Sequence, residues 1–244
     1  MTAIFLENLT WLEAEEVLRE DSMIVIPLGA ALKEHGKHLP LNNDKLLVDG
    51  LVDNLGKRLN IVVMPTIGTS FYPAFVEYPG SISLSLETSA ALIGETCTGL
   101  ARFGCKKIYV LNTGVSTTRV LSKVSEFLKE NHPTLSFSYT DFKRALDVAA
   151  QGISQQSGGG HADEIETSIM LFLAPNVVHM EKAEKDFHGN APGPLHRDEQ
   201  KARDANAVYS PTGAWGDSTL ATKDKGETIV NRLLDWIEND IRKL

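Results

Sequence analysis

The sequence predicts an α/β fold with a mostly parallel central sheet that is covered by helices on both faces. Short apolar runs alternate along the chain with longer segments of helical periodicity. The first three apolar runs are apolar nearly throughout and end in glycine, which is typical of strands buried on both faces of a parallel sheet. This alternation predicts βαβ units with right-handed crossovers.

Four runs are predicted as strands, at 22–29, 60–68, 106–114 and 134–142. The segments between them are predicted as helices because apolar residues recur at helical spacing; they span 44–58, 85–103 and 116–130. After residue 143 the pattern loosens. A glycine-rich segment leads into a predicted helix at 163–173, a polar stretch covers 181–213, and a last helix spans 224–243. A chain of this length can bury one core, so residues 1–244 are predicted to form a single domain.

Composition excludes several classes of function. The chain has 244 residues and a net charge of −8, which argues against nucleic acid as a partner because phosphate binding needs a basic surface. No apolar run approaches the ~20 residues of a membrane span, and the acidic start does not resemble a signal peptide. The two cysteines, Cys97 and Cys105, are expected to be reduced structural thiols. We therefore expect a cytoplasmic protein.

The stretch KEHGKHLPLNND, residues 33–44, follows the first predicted strand and is a candidate metal site. In open α/β sheets ligands bind beyond the carboxyl ends of the strands. His35, His38 and Asp44 are ligands that Zn²⁺, Mn²⁺ or Fe²⁺ accepts, and Gly36 and Pro40 let the chain turn so that they converge. The alternative is a polar loop in which His38 packs and the charged residues are solvated. The clustering favours a metal.

A second candidate cluster lies in GGGHADEIETSIMLFLAP, residues 158–175. Asp163 and Glu164 fall in the first turn of the predicted helix, where the helix dipole favours carboxylates. Glu166 lies on an otherwise apolar stripe, so it needs a metal or a base as partner, and His161 can reach the same cavity. The pair is suited to acid–base chemistry, and a helix-capping role is the alternative. Since no GxSxG, Walker or GxGxxG motif is present in a suitable context, a metal-activated water is favoured over a covalent nucleophile.

Four segments resemble the creatininase (creatinine amidohydrolase) family, in the family's order. IPLGAALKEHGKHLPLNND resembles the signature EQHGPHLPxxTD, and YPGSISLSLET is similar to FPGTISL. HADEIETSIMLFLAP is similar to HAGExETSLML, and GAWGDSTLATKDKGE to GxxGDPxxATxEKG. The resemblance implies a three-layer α/β/α hydrolase, often a homohexamer, with a metal site that opens C–N bonds of small cyclic or linear amides. We assign substrate binding to five residues in or near these motifs: Tyr78, Ser81, Phe75, Trp215 and Asp217.

Three departures identify a divergent member of that family. Lys33 stands where the family has a metal-binding glutamate. Gly114 and Ser116 stand where creatininase has a metal-binding histidine and glutamate, and Phe75 replaces a pocket histidine. In creatininase the first glutamate and that histidine bind one metal of a binuclear pair. The resemblance therefore implies that this metal is lost here, and the Lys33 ammonium can take its place beside Asp44.

The sequence therefore predicts at most one metal per chain, with zinc expected and iron or manganese as the other candidates. The predicted ligands are His35, Asp44, Glu34 and Glu166, where Glu34 takes a ligand place if Lys33 points to solvent instead. In the predicted reaction a metal-activated water attacks a small amide. His161 carries the proton to the leaving nitrogen, Lys33 polarises the carbonyl, and Glu166 completes the catalytic set.

The sequence is also compatible with a second function, and it predicts an oligomer. The alternative function is a catalytically degenerate family member that binds a small molecule or serves as an oligomeric scaffold. A homo-oligomer, a hexamer by family likeness, is expected in either case. Phe71, Tyr72, Phe75 and Tyr78 cluster in one loop and can anchor an interface or line a pocket, or else cover the domain's own core.

Overall fold

The structure is a computed structural model that describes residues 2–187, 194–203 and 207–244. Its central sheet contains five strands: β1 (Ala3–Phe5), β2 (Met23–Leu28), β3 (Ile61–Val63), β4 (Lys107–Asn112) and β5 (Ser136–Tyr139). All neighbouring strands are parallel, in the order β1–β3–β2–β4–β5. The central strand, β2, pairs with β3 on one side and with β4 on the other.

Seven helices surround the sheet in the described ranges: α1 (Trp11–Val17), α2 (Asn43–Leu55), α3 (Leu86–Arg102), α4 (Thr118–Asn131), α5 (Phe142–Ala149), α6 (Glu164–Leu173) and α7 (Lys223–Ile241). α3 and α4 pack on one face of the sheet, and α2, α5, α6 and α7 pack on the other. The result is three layers with a buried apolar core on each side of the sheet. The predicted fold class is confirmed.

The apolar strands contribute side chains to the cores on both faces of the sheet. Along β2, Ile24 and Ile26 join the core beneath α3 and α4, while Val25 joins the opposite core. Successive side chains of a strand point to opposite faces, so a strand between two helical layers has to be apolar at every position. This is why the unbroken apolar runs predicted strands correctly.

Several elements differ from the prediction. β1 at the sheet edge, α1 and α5 were not predicted, and β3 covers only Ile61–Val63 of the predicted strand 60–68. The predicted strand 134–142 ends at Tyr139, where β5 ends. α5 begins directly afterwards, because the Asp141 side chain accepts a hydrogen bond from the backbone N–H of Arg144 and caps the new helix.

The polar stretch predicted over 181–213 contains several short strands. β6 (Lys185–Asp186) pairs antiparallel with a later strand, β9 (Gly216–Asp217). β7 (Leu195–His196) pairs parallel with β8 (Val208–Tyr209). The parts of this stretch at 188–193 and 204–206 lie outside the described residues. Among the helices that the structure describes, none has the length and apolar character to cross a membrane.

Candidate active site

The candidate site lies beyond the carboxyl ends of β2 and β4. The chain leaves β2 towards β3 on one side of the sheet and leaves β4 towards β5 on the other side. Such a reversal opens a crevice at the strand ends, where α/β proteins bind ligands. The loop after β2 enters α2 at Asn43, so Asp44 lies in the first turn of that helix. The 33–44 stretch is therefore in the crevice, as its sequence predicted.

Lys33, His35 and Asp44 form a buried charged cluster. The Nζ atom of Lys33 lies 2.7 Å from Asp44 Oδ2, and Nε2 of His35 lies 2.7 Å from Asp44 Oδ1. Nδ1 of His35 lies 3.0 Å from the carbonyl oxygen of Lys33. Because a carbonyl oxygen only accepts hydrogen bonds, Nδ1 carries the proton and Nε2 faces Asp44. Lys33 thus points into the site, the orientation expected if its ammonium replaces a metal; its chemical role stays a prediction.

The carboxylate of Glu34, which was predicted as a metal ligand, contacts the ring of His161. Its Oε1 lies 2.8 Å from Nε2 of His161, and its Oε2 accepts a hydrogen bond from the backbone N–H of Gly36 at 3.0 Å. Gly213, with φ of +86°, packs directly against this carboxylate and leaves no room for a Cβ atom. The carboxylate of Glu34 therefore fixes the orientation of the His161 ring and is itself held by two backbone segments.

Glu166 reaches the same place from α6. Its Oε2 accepts a hydrogen bond from the backbone N–H of Ala162 at 2.7 Å and lies 3.7 Å from Nδ1 of His161. Ala162 has φ of +47°, a left-handed conformation that residues other than glycine rarely adopt and that marks strain at functional sites. The helix cap is supplied instead by Asp163, whose carboxylate accepts from the N–H groups of Ile165 and Glu166. Asp163 therefore caps the helix itself, while Glu166 binds the backbone N–H of the residue that precedes the cap.

The residues of this cluster fit one metal ion. One ligand atom each from His35, His161 and Glu166 lie within 4.8 Å of one another, and all three side chains are buried. Each histidine directs its second nitrogen to a fixed acceptor, the Lys33 carbonyl or the Glu34 carboxylate. Histidines that bind metals usually have such an acceptor on the other nitrogen, because it sets the tautomer and the ring orientation. Two imidazoles and a carboxylate suit Zn²⁺, Mn²⁺ or Fe²⁺.

Charge pairing sets the protonation of the cluster. Burial lowers the pKa of Lys33, but the charges of Asp44, Glu166 and Glu34 outweigh burial and raise that pKa overall. Burial raises the pKa of Asp44, but His35 and Lys33 outweigh it and hold that pKa well below its usual range. The ammonium and the carboxylate therefore both stay ionised at neutral pH.

His161 and the three carboxylates complete this charge pattern. Burial lowers the pKa of His161, and the carboxylate of Glu34, with a smaller effect of Glu166, reverses the shift so that the pKa is raised. The cluster therefore brings the carboxylates of Glu34, Asp44 and Glu166 together with Lys33 and His161 in one buried place.

The predicted substrate-binding residues surround this cluster to different degrees. The ring of Phe75 lies 4.3 Å from the ring of His161, between centroids, and 4.8 Å from Nζ of Lys33. The hydroxyl of Ser81 accepts a hydrogen bond from the backbone N–H of Glu34 at 2.9 Å. Tyr78 donates its hydroxyl hydrogen to the carbonyl oxygen of Ser210 at 2.7 Å. These residues shape the wall and the backbone of the site.

Trp215 and Asp217 are placed differently. The backbone N–H of Trp215 donates to the carbonyl oxygen of His161 at 2.7 Å, so Trp215 holds the backbone of the histidine. Asp217 accepts from the backbone N–H of Thr219 at 3.2 Å and lies 3.9 Å from Nζ of Lys185. The structure therefore places the Asp217 carboxylate at a turn and does not bring it into the charged cluster. Binding roles for both residues stay predictions.

The loop after β4 closes on itself instead of supplying ligands. The side chain of Asn112 accepts hydrogen bonds from the N–H of Gly114 and the hydroxyl of Thr117 and donates to the Gly114 carbonyl at 2.8 Å. Tyr72 lies beside Gly114 and is buried next to the charged cluster. No motif indicated Tyr72; the only sequence signal was its position in the aromatic loop.

Comparison with known proteins gives one consistent result. The family model described as "Creatininase: Creatinine amidohydrolase" matches residues 7–241. The chain is similar to the creatinine amidohydrolase of Pseudomonas putida, with 25% identity over 99% of this chain and 97% of that protein. It is also similar to the 3-dehydro-scyllo-inosose hydrolase of Thermotoga maritima, with 24% identity over 100% of this chain and 84% of that protein. Both relatives are hydrolases by name, and the predicted hydrolase class is confirmed.

Solved structures agree on the fold. A crystal structure of creatinine amidohydrolase superposes with a TM-score of 0.85, at 22% identity, over 100% of this chain and 98% of that chain. A structure described as "Creatininase Mn" has a TM-score of 0.82, at 23% identity, over 99% of this chain and 98% of that chain. At these identities the likeness concerns the fold alone.

Proposed function

Because this chain belongs to the creatininase family, we propose that it is a metal-dependent amidohydrolase that opens a C–N bond of a small cyclic or linear amide. The amide class follows the family description and the creatinine amidohydrolase relative. The second relative is named for a carbocyclic ketone, so the family likeness does not by itself select one substrate. The choice of an amide substrate therefore has to be supported by the chemistry of the site.

The observation that carries the proposal is the convergence of His35, His161 and Glu166, with ligand atoms within 4.8 Å of one another. A buried site of this composition needs a cation to balance its carboxylates. We assign the metal to His35 and Glu166, with Oδ1 of Asp44 as a further ligand, and zinc as the expected ion. Glu34 is left out of this ligand set, since its carboxylate binds His161, which we assign to proton transfer.

At most one metal per chain is expected. The Lys33 ammonium takes up Asp44 Oδ2 at 2.7 Å, so that oxygen is not available to a second cation. The loop that would supply further ligands offers Gly114 and Ser116 instead. A second divalent ion would also lie close to a fixed positive charge.

When bound, the metal supplies a water of lowered pKa and polarises the amide carbonyl. Residues of the chain supply the remaining steps. The imidazolium of His161, held by Glu34, donates a proton to the leaving nitrogen as the C–N bond breaks. Lys33 contributes positive charge where negative charge develops on the carbonyl oxygen. Phe75 packs against both groups and excludes bulk water from them.

Elemental analysis of protein purified without a chelator and without a histidine tag tests the proposal. Wild-type protein should contain close to one zinc, iron or manganese per chain. His35→Ala and Glu166→Gln should lose the metal, whereas His161→Ala should retain it, because His161 is assigned to proton transfer. His179→Ala is the matched control, because the side chain of His179 is exposed. Loss of metal in His161→Ala, or an unchanged metal content in His35→Ala, would contradict the proposed site.

A catalytically degenerate binding or scaffold protein is the second candidate, and one observation favours it. The Lys33 ammonium already pairs with Asp44 Oδ2 at 2.7 Å, so the chain supplies a cation of its own beside the carboxylates. Metal-free wild-type protein with unchanged thermal stability after chelation would support this candidate.

A homo-oligomer is proposed on family likeness. Tyr72, Phe75 and Tyr78 pack within the chain against Leu195 and Val208, so these rings of the aromatic loop cover the protein's own core. A cytoplasmic location is proposed on the two cysteines, which are buried free thiols. Sedimentation velocity at micromolar concentration tests the oligomer, and a monomer would contradict it.

A further inference from the structure

The hydroxyl of Tyr72 is buried without a hydrogen-bond partner. The side chain is 3% exposed, and its oxygen has no partner in the described part of the chain. Folding normally pairs buried hydroxyls, because an unpaired one loses its bonds to water and gains none in return. An unpaired donor that persists beside a cluster of ionised groups is therefore available to a ligand.

The position of the ring is fixed by its surroundings. A Cβ atom added at Gly114 would lie 3.6 Å from Cε1 of Tyr72, so the ring covers the loop that follows β4. The centre of the ring is 5.9 Å from Nζ of Lys33. The backbone N–H of Tyr72 donates to the hydroxyl of Ser83 at 2.9 Å, which holds the residue from behind. Tyr72 therefore forms a rigid wall of the same site as Lys33 and Asp44.

We propose that Tyr72 binds the substrate by donating its phenolic hydrogen to the carbonyl oxygen of the amide that is hydrolysed. This inference rests on the proposed function and adds a substrate contact to it. Lys33 alone does not supply this contact well, because its ammonium is already paired with Asp44 at 2.7 Å. A neutral donor adds a directional hydrogen bond without adding charge to the cluster.

The phenol stays protonated throughout the range in which the enzyme can work. Burial raises the pKa of Tyr72 well above its ordinary value, and the negative charge of Asp44 raises it further. The side chain therefore acts as a hydrogen-bond donor only, and no proton transfer to or from it is part of the proposal.

Tyr72→Phe tests the inference, with Tyr109→Phe as the matched control. Tyr109 is also fully buried, but its hydroxyl is paired with Thr140 at 3.0 Å and Asp240 at 3.2 Å. Thermal melting of the free proteins should give Tyr72→Phe a midpoint at or above that of wild type, while Tyr109→Phe melts lower. A drop in Tyr72→Phe as large as that in Tyr109→Phe would show that the hydroxyl has a structural partner, and would overturn the inference.

Binding of a small cyclic amide, 2-pyrrolidinone, gives the second readout. Calorimetric titration should show roughly tenfold weaker binding to Tyr72→Phe than to wild type, and no change in Tyr109→Phe. Equal affinities in Tyr72→Phe and wild type, or no binding to wild type up to the solubility limit, would overturn the inference. Metal content is measured on the same samples. Metal-free wild-type protein would refute the proposed metal chemistry, yet a selective loss of amide binding in Tyr72→Phe would still support the contact.

Discussion

Replacing Lys33 with methionine should cost the protein about 3 kcal/mol of unfolding free energy. The ammonium of Lys33 lies 2.7 Å from Asp44 Oδ2, and the two side chains are 7% and 2% exposed. Removing one partner of a buried pair leaves an uncompensated charge and typically costs ~3–5 kcal/mol. Asp44 keeps His35 at 2.7 Å, which places the expected loss near the lower end. Methionine retains the apolar stem, so the loss reports mainly the charge.

Urea unfolding at neutral pH, in the presence of a chelator, measures this loss. Lys45→Met is the matched control, because Nζ of Lys45 lies 2.6 Å from Asp49 Oδ2 but the two side chains are 40% and 34% exposed. Such an exposed pair contributes ~0.2–1 kcal/mol. The double variant Lys33→Met/Asp44→Asn should lose less than the sum of its single variants, since each single change leaves the other charge unpaired.

A loss from Lys33→Met no larger than that from Lys45→Met would refute the reasoning, because it would mean that the Lys33 side chain can leave the site at no cost. Lys33→Glu is a harsher version of the test. It places a new carboxylate beside Asp44 and Glu166, and like-charge repulsion should destabilise the chelated protein more than Lys33→Met does. A silent Lys33→Glu together with a damaging Glu34→Ala would favour the opposite orientation of the loop.

Two further predictions concern pH and substrate. Burial, and after it the charge of His35, lowers the pKa of His38 from 6.5 to about 4. As the pH falls from 6.5 to about 4, the unfolded chain therefore takes up a proton at His38 that the native chain does not take up. The unfolding free energy of wild type should therefore fall over this pH interval, and that of His38→Gln should fall by about 3 kcal/mol less. Urea titrations at each pH measure both. An equal fall in the two proteins would contradict the lowered pKa of His38. Creatinine should be a poor substrate, because the apolar ring of Phe75 lines the site beside His161 and a missing polar partner lowers turnover by orders of magnitude. Turnover of ~1–10³ s⁻¹ would contradict this.

The sequence predicted those parts of the fold that depend on burial at both faces of the sheet. β2 is apolar throughout and β4 is apolar between Lys107 and Asn112 at its ends, so their composition distinguishes them from helices and loops. β1 has three residues and is only partly buried, which is too short for any period to show. Two residues separate the end of β5 from the start of α5, and the apolar first residue of α5, Phe142, was included in the predicted strand.

The candidate site was predictable where its residues lie close together in the chain. His35 and Asp44 are nine positions apart, and the turn between them was evident from Gly36 and Pro40. The pairing of Glu34 with His161 joins positions 127 apart, and no local pattern carries that information. Glu34 was consequently interpreted as a metal ligand, whereas its carboxylate binds an imidazole.

Tyr72 illustrates what the sequence does not encode locally. Its significance depends on the missing side chain at Gly114 and on the absence of a partner for its hydroxyl in the described structure. Both are properties of the packed molecule. An aromatic residue in a loop of four aromatics gives no indication of which ring is buried beside a charged cluster.

Anomalous diffraction from zinc-soaked crystals tests the central claim most directly, because it counts the metals and identifies their ligands in one measurement. We expect one zinc peak per chain, within ~2.0–2.2 Å of ligand atoms of His35 and Glu166, with the Lys33 ammonium still paired with Asp44. Two peaks per chain, no peak at this cluster, or a peak bound by the carboxylate of Glu34 would contradict it.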